Sequence, residues 1–314
     1  MYNLVYMAKP CYGGWVSFTA HLAHKTSSDI HKITKRNEKN KRNFGYSCEY
    51  QNSTIDKIKN LPNLMITAVD KNYHQYLEDM PDGTGLVIHD PTEVKGRNNE
   101  LTKYLHKFKI FTIRQTVHKY LKEKFDIDSE FKLHPFHEFS KTPYMEKNDV
   151  VSISRIDYDK HTDILCKANE ILDRKIKIYG AKNDRYVYQK LNEYDSMKED
   201  DPMSNYCGRF GKSFGDISDI LSKSKVVIDM SAISLDGGGT QYSFLEAIYH
   251  DCLLILNKKW VDGLNSPFIN NINCIIVSDS EELVKVLNNL DDYDIEGIIK
   301  NSKLILDKNI NQQW

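Results

Sequence analysis

Two cations leave the end of one apolar run. In the stretch 152–161, Ser-Ile-Ser-Arg-Ile-Asp-Tyr-Asp-Lys-His, Arg155 is followed five residues later by Lys160. An arginine offers a planar fork of donors and a lysine a mobile point charge, so the pair suits a diphosphate that gains charge as a bond to it breaks. Asp157 and Asp159 supply the plainer reading of a surface Arg and Lys paired with local carboxylates. At 236–241 the chain reads Asp-Gly-Gly-Gly-Thr-Gln ahead of a helical stretch. Glycines at a helix start (Gly237, Gly238 and Gly239, with Thr240 and Gln241) let backbone N–H groups approach phosphate oxygens, although a simple turn explains the triplet as well. Within that helix Glu246 sits among Phe244, Leu245, Ala247 and Ile248, where it can accept from two ribose hydroxyls or form a capping box with Ser243. Nearer the N-terminus, Gly13-Gly14 follows the first apolar run, and His89-Asp90 ends another run before Pro91. A His-Asp pair can orient a hydroxyl or polarise a sugar oxygen, and Asp before Pro also starts turns.

Other chemistries lose their usual support. No P-loop, G-x-S-x-G, H-E-x-x-H or full G-x-G-x-x-G is present. The six cysteines are scattered without a C-x-x-C pair, which signals neither a zinc site nor a disulfide framework and fits a reducing cytoplasm. No apolar stretch is long enough to span a bilayer and no signal-peptide pattern opens the chain, so the expectation is a soluble protein with no membrane partner.

Net charge is −1 over 314 residues, so any attraction to a polyanion must be local. Residues 1–147 carry 23 Lys and Arg against 17 Asp and Glu, a net of +6, and the remainder is −7. The densest basic run, 31–42, contains Lys32, Lys35, Arg36, Lys39, Lys41 and Arg42 with one acid. It reads as a solvated loop or lysine-protected edge, or as a patch that tracks phosphates without reading sequence.

The elements that must position these residues alternate. Strand patterns at 3–8, 44–49, 64–69, 85–89 and 109–113 are separated by helical stretches at 15–24, 54–60, 71–79, 100–108 and 116–125. A segment with Pro135 and Pro143, 131–148, lacks periodicity and reads as a linker. Strands then recur at 150–156, 175–179, near Tyr206, and at 225–229, 252–256 and 274–277, with helices at 162–172, 185–194, 216–222, 240–249, 280–290 and 293–308. The expected architecture is α/β, two tandem doubly wound Rossmann-like lobes at 1–147 and 148–314. A ligand is expected in the cleft between them at the carboxyl ends of the strands, and the last helix is free to pack back on the first lobe.

Taken in order, these motifs resemble the two-lobed GT-B glycosyltransferases, in particular the retaining family 4 type. That family's G-R-[LI]-x-x-x-K-G segment is similar to Ser154-Arg155-Ile156 with Lys160-His161, although Ser154 and His161 stand where the family has glycine. Leu245-Glu246-Ala247 is similar to the second Glu of the family's nucleotide-sugar motif, and Gly238 occupies the position of the first. The run ending Tyr179-Gly180 resembles the strand beside the nucleotide, and Tyr206-Cys207-Gly208-Arg209-Phe210 the strand that flanks the base. The landmarks Tyr6 to Lys9, Gly13-Gly14, His89-Asp90, Tyr179-Gly180 and Leu245-Glu246 also resemble bacteriophage DNA α-glucosyltransferases, which decorate hydroxymethylcytosine.

The resemblance implies a nucleotide-sugar donor, a UDP-sugar, held by Gly13, Gly14, Arg155, Lys160, Gly180, Arg209, Phe210, the 237–241 backbone and Glu246. It implies catalytic roles for His89, Asp90, Arg155 and Lys160, and no metal, because the two cations neutralise the leaving group. It further implies a double-stranded DNA acceptor gripped by the 32–42 cations, with the acceptor base leaving the stack, in the host cytoplasm if the chain is phage-encoded. Two rivals stand beside it. One is a related enzyme acting on a glycan or lipid-linked acceptor, and the other a non-catalytic two-lobed module that closes on a small ligand.

Overall fold

A computed structural model describes residues 1–9, 13–34, 46, 48–95, 100–143, 145–173, 175–194, 197, 204–211, 213–232, 239–262 and 266–314. The chain divides into two compact units, Met1–Phe139 with Lys308–Trp314, and Ser140–Asp307. The boundary falls before the expected one at 147/148 because hydrogen bonds sort the connecting segment. The His137 N–H donates to His21 Nδ1 at 3.0 Å, whereas the Thr142 N–H donates to Ser218 Oγ at 2.7 Å. The C-terminal residues join the first unit, where Trp314 Nε1 donates to the Leu133 carbonyl at 3.1 Å and the indole meets Phe18 edge-on.

The first unit contains a seven-stranded sheet in the order β3-β2-β1-β4-β5-β6-β7, every neighbouring pair parallel. Its strands are β1 Asn3–Met7, β2 Asp29–Ile33, β3 Gln51–Ser53, β4 Leu64–Val69, β5 Gly85–Ile88, β6 Lys109–Thr112 and β7 Glu130–Phe131. Parallel strands covered on both faces need continuous apolar runs, and β4 (Leu-Met-Ile-Thr-Ala-Val) is buried throughout. The core gathers Val5, Met7, Ile66, Leu86, Ile88 and Ile110 from the strands with Val117 and Leu121 from the helix Gln115–Phe125.

The second unit contains a five-stranded parallel sheet in the order β12-β11-β10-β8-β9. Its strands are β8 Asp149–Ile153, β9 Lys177–Tyr179, β10 Ser224–Asp229, β11 Leu253–Asn257 and β12 Ile275–Val277. Val150, Ile178, Val226, Ile228 and Ile255 pack against Leu165 and Cys166 of the helix Thr162–Ile171 and Leu283 of the helix Ser280–Asn288. In both sheets the direction of strand addition reverses, between β1 and β4 in the first and between β8 and β10 in the second. Such reversal points leave a crevice at the carboxyl ends of the two strands.

Several expected elements change. Strand β2 occupies the start of the basic run, for which the sequence left open a solvated loop, a lysine-protected edge or a phosphate-tracking patch. The stretches 71–79 and 100–108 form 3-10 helices, His74–Leu77 and Glu100–Lys107, instead of α-helices. Near Tyr206 the described residues form an isolated parallel bridge to Ile178 in place of a strand. Of the expected strand at 44–49, residues 44, 45 and 47 lie outside the described residues and Tyr46, Cys48 and Glu49 are not in a strand; the strand forms instead at Gln51–Ser53.

Candidate functional site

In the second unit the reversal point is where the sequence motifs meet. Strand β8 delivers Arg155 and, through the short 3-10 turn Tyr158–Lys160, Lys160. Strand β10 ends at Asp229, and the helix Tyr242–Tyr249 begins after Gln241. The Lys160 ammonium donates to Ser231 Oγ at 2.7 Å and to Gln241 Oε1 at 2.8 Å, residues 71 and 81 positions away. Ser231 is fully buried and is held by Asp229, which accepts from the Ser231 N–H at 2.9 Å and from its hydroxyl. The Ser243 hydroxyl donates to the other Asp229 oxygen at 3.0 Å, so the capping box with Glu246 is not the arrangement adopted. Buried Gln241 Nε2 has no hydrogen-bond partner among the described residues, leaving a donor beside the lysine.

Arg155 differs from Lys160. It is half exposed, and its guanidinium pairs with Asp157 and Asp159, each at 3.2 Å. Any anion binding there would have to compete with two carboxylates for its fork. The backbone around it is tightly fixed. Gly180, at φ +153°, lies so close to the strand end that a Cβ on it would stand 1.7 Å from the Ser154 carbonyl oxygen. Its N–H donates to the Gly208 carbonyl at 2.9 Å, and the Tyr206 hydroxyl donates to the Gly180 carbonyl at 2.9 Å. Gly180 and the 206–210 segment are thus neighbours, with Arg209 exposed and Phe210 partly buried.

Glu246 is buried one turn into its helix, and burial pushes its carboxyl up to about 8, so the resting group is largely protonated at neutral pH. Gly239 accepts from Trp260 Nε1 at 2.9 Å, and Thr240 is buried; Gly237 and Gly238 lie outside the described residues.

In the first unit, Gly13 takes φ +93° to start the helix Gly14–Thr26, a conformation that favours glycine, and its carbonyl accepts from the Val16 and Ser17 N–H groups. Gly14 is exposed beside it. Trp15 reaches the second motif, donating a hydrogen bond to the Glu93 carboxylate and lying 6.3 Å, centroid to centroid, from His89.

The expected catalytic role of His89 meets a different structure. Its ring is buried edge-on against Phe18, Nε2–H donates to the Thr67 carbonyl at 2.7 Å, and burial lowers its pKa to about 4. It is a neutral core histidine whose Nε2 proton is committed. Asp90 caps the turn Pro91–Glu93 by accepting from the Thr92 N–H at 2.9 Å, and Glu93 closes the capping box from the other side. Burial and the neighbouring Asp90 raise the Glu93 pKa well above the ordinary carboxylate value. Asp90 and Glu93 still border a cavity of about 450 Å³, with Trp15, Asp70, Lys71 and His74 among its other walls.

The DNA-binding expectation is corrected at Lys32, which lies in β2 and is 2% exposed, where it cannot meet a duplex phosphate. Lys35, Arg36, Lys39, Lys41 and Arg42 lie outside the described residues. Among the described residues no cluster of three or more His, Cys, Asp or Glu could hold a metal ion, and no helix is long and apolar enough to cross a membrane. Asp229 and Ser231 escaped the sequence reading. Their signal was an acid and a hydroxyl at i and i+2 on leaving an apolar strand, ahead of the glycine turn.

No protein-family model matches the sequence, and no curated protein matches it. Solved structures do match its fold. Anabaena HepE, crystallised in complex with UDP-glucose, superposes with a TM-score of 0.65 at 12% identity, covering 99% of this chain and 96% of that one. The lipopolysaccharide outer core galactosyltransferase WaaB gives 0.58 at 12%, covering 98% and 97%. The DNA-modifying enzyme β-glucosyltransferase gives 0.58 at 13%, covering 99% and 95%. The fold is that of the GT-B glycosyltransferases, two α/β units each built on a parallel sheet.

Proposed function

We propose that this chain is a retaining glycosyltransferase that takes a UDP-linked sugar and passes the sugar to a hydroxyl group. The observation that carries the reading is the junction of Lys160 with Ser231 and Gln241, which puts a cation from one strand end at the N-terminus of the Glu246 helix, at the reversal point of the second sheet. In the reaction the anomeric C–O bond to the diphosphate breaks and its electron pair stays on the phosphate oxygen. The acceptor oxygen bonds the anomeric carbon, and the acceptor proton ends on the diphosphate. Arg155 and Lys160 stabilise the charge that develops there. The 239–241 backbone faces the phosphates, Glu246 holds the ribose, and Gly180, Arg209 and Phe210 border the nucleotide. Fold likeness to a protein crystallised with UDP-glucose supports the choice of donor.

As acceptor we take a hydroxymethylated cytosine in duplex DNA. The net +6 of residues 1–147 and the fold likeness to a DNA-modifying glucosyltransferase support it, with the phosphate contacts assigned to Lys35, Arg36, Lys39, Lys41 and Arg42 and none to Lys32. A glycan acceptor is the second reading. It is favoured by the cavity at Trp15, Asp90 and Glu93, whose volume and mixed aromatic and carboxylate walls suit one sugar ring. The deciding experiment incubates the protein with a panel of UDP-sugars against hydroxymethylated DNA, unmodified DNA and oligosaccharides, and detects products by mass. A hexose mass added only to hydroxymethylated DNA is expected. Transfer only to oligosaccharides moves the acceptor to the second reading, and UDP-sugars left whole in every arm overturn the enzyme assignment.

A further inference from the structure

Lys160 is not the mobile point charge that its side-chain type suggests. Two of its three N–H groups are taken by Ser231 Oγ and Gln241 Oε1, and the direction of each bond is forced by chemistry. An ammonium only donates, so Ser231 Oγ accepts from Lys160 and its single hydroxyl hydrogen turns to Asp229. Asp229 is 2% exposed and accepts from three donors, the Ser231 N–H, the Ser231 hydroxyl and the Ser243 hydroxyl. The chain Lys160 to Ser231 to Asp229 therefore runs one way, from a cation through a neutral oxygen to a buried carboxylate. It spans the two strands, β8 and β10, between which the sheet reverses.

We infer that Asp229 is a positioning residue: by fixing the Ser231 hydroxyl it holds the Lys160 ammonium in one place, with its remaining N–H pointing away from the network to a phosphate oxygen. This rests on the proposed assignment of Lys160 to the donor diphosphate. A pre-aimed donor needs no reorganisation when charge develops on the leaving group, whereas a lysine on a flexible stem must first be ordered. Arg155 is held differently, since it is itself half exposed and its partners are the partly buried carboxylates of its own turn.

The test is a double-mutant cycle read by titration calorimetry with UDP. Affinities are measured for the full-length chain, Ser231→Ala, Lys160→Ala and the double variant, with thermal melting to confirm that each is folded. Losing a well-placed charged hydrogen bond is expected to weaken UDP about tenfold in Ser231→Ala. The same change should have no effect once Lys160 is already Ala, because the serine acts only through the lysine. Ser231→Thr, which keeps the hydroxyl, is expected to restore binding. Asp229→Ala, which removes the acceptor from the Ser231 hydroxyl, carries the same cycle if Ser231→Ala does not fold, and Asp229→Asn, which retains an acceptor for Ser231, is expected to bind UDP more nearly as the native chain does. An equal loss with and without Lys160, or no loss with Lys160 present, overturns the inference while leaving the donor assignment standing. If Lys160→Ala binds UDP as the native chain does, the diphosphate assignment itself falls, and the inference with it.

Discussion

The two sheets finish their strands differently. In the first unit the polar groups at the strand ends serve the fold: His89 donates to the Thr67 carbonyl, Asp90 caps its turn, and Glu93 and Asp70 accept backbone N–H groups. In the second unit the equivalent groups reach across strands to a cation, so that Ser231 and Gln241 accept from Lys160 and Asp229 holds Ser231 in place. The difference teaches that a His-Asp pair beside a proline is first a structural device. A buried acid and hydroxyl following a strand can, by contrast, belong to a site that no motif announces.

The contrast is broken most directly by exchanging which unit is damaged. Lys160→Ala is expected to slow UDP-sugar cleavage by about a hundredfold or more, the usual cost of removing one group aimed at a developing anion, with little change in melting temperature. His89→Gln is expected to do the reverse. It disturbs a buried ring contact and the bond to Thr67, lowers stability by about 1–2 kcal/mol, and leaves the turnover number close to native. Steady-state kinetics and thermal melts on both variants check this, and a collapse of turnover in a well-folded His89→Gln would return that histidine to the chemistry.

Gly180→Ala attacks the second unit through its backbone. The added carbon would stand 1.7 Å from the Ser154 carbonyl oxygen, a contact no rotamer relieves, and the left-handed-side φ of +153° adds strain. A stability loss of about 3 kcal/mol is expected, measured by denaturant unfolding. Among the described residues the first unit offers no glycine so confined at its own reversal point, since a Cβ on Gly13 or Gly14 would meet none of them within 4 Å.

Most of the framework was legible in the sequence because parallel strands buried on both faces advertise themselves as apolar runs. The 64–69 pattern became β4 with the same bounds, and the 15–24 helix grew by one residue at the front and two at the back. Strand β2 was hidden because Asp-Ile-His-Lys-Ile carries a lysine and a histidine, and its burial comes from the strands on either side rather than from its own composition. At the site, spacing singled out Arg155 and Lys160 but could not show their partners. Sequence offered Asp157 and Asp159 for both cations; the fold gives them to Arg155 alone and turns Lys160 toward residues 71 and 81 positions downstream. That sorting is tertiary, set by the crossing from β8 to β10, and no local pattern contains it.

Acid should weaken the first unit more than the second. His21, His89 and His134 are buried there, and burial lowers all three pKa values, that of His89 to about 4; in the second unit His250 is also lowered to about 4. Between the unfolded value near 6.5 and the folded value the unfolded chain binds more protons. The stability that depends on these histidines is therefore full above pH 6.5 and falls as pH drops below it, by up to about 1.4 kcal/mol per pH unit for each histidine, down to about pH 4 for His89 and His250. Hydrogen exchange at pH 7 and pH 5, read separately for the two units, should show the larger loss of protection in the first. Equal losses would mean that the three histidines do not set its acid response.

The smallest effect expected lies beside Lys160. His161 adopts φ 45° and ψ 45°, left-handed backbone that costs a side-chain-bearing residue about 1 kcal/mol, at the position where the resembling glycosyltransferase segment has glycine. The turn needs that conformation because His161 is both the end of the Tyr158–Lys160 turn and the N-cap of the helix Thr162–Ile171. Replacing it by glycine removes the penalty but adds freedom to the unfolded chain, so a net gain of at most about 1 kcal/mol is expected from denaturant unfolding. Because the imidazole makes only a long 4.0 Å approach to Asp163, little contact energy is lost with it. A loss of stability in His161→Gly would show that the ring, rather than the backbone geometry, holds this turn, and that the second unit's strand end depends on side-chain packing as the first unit's does.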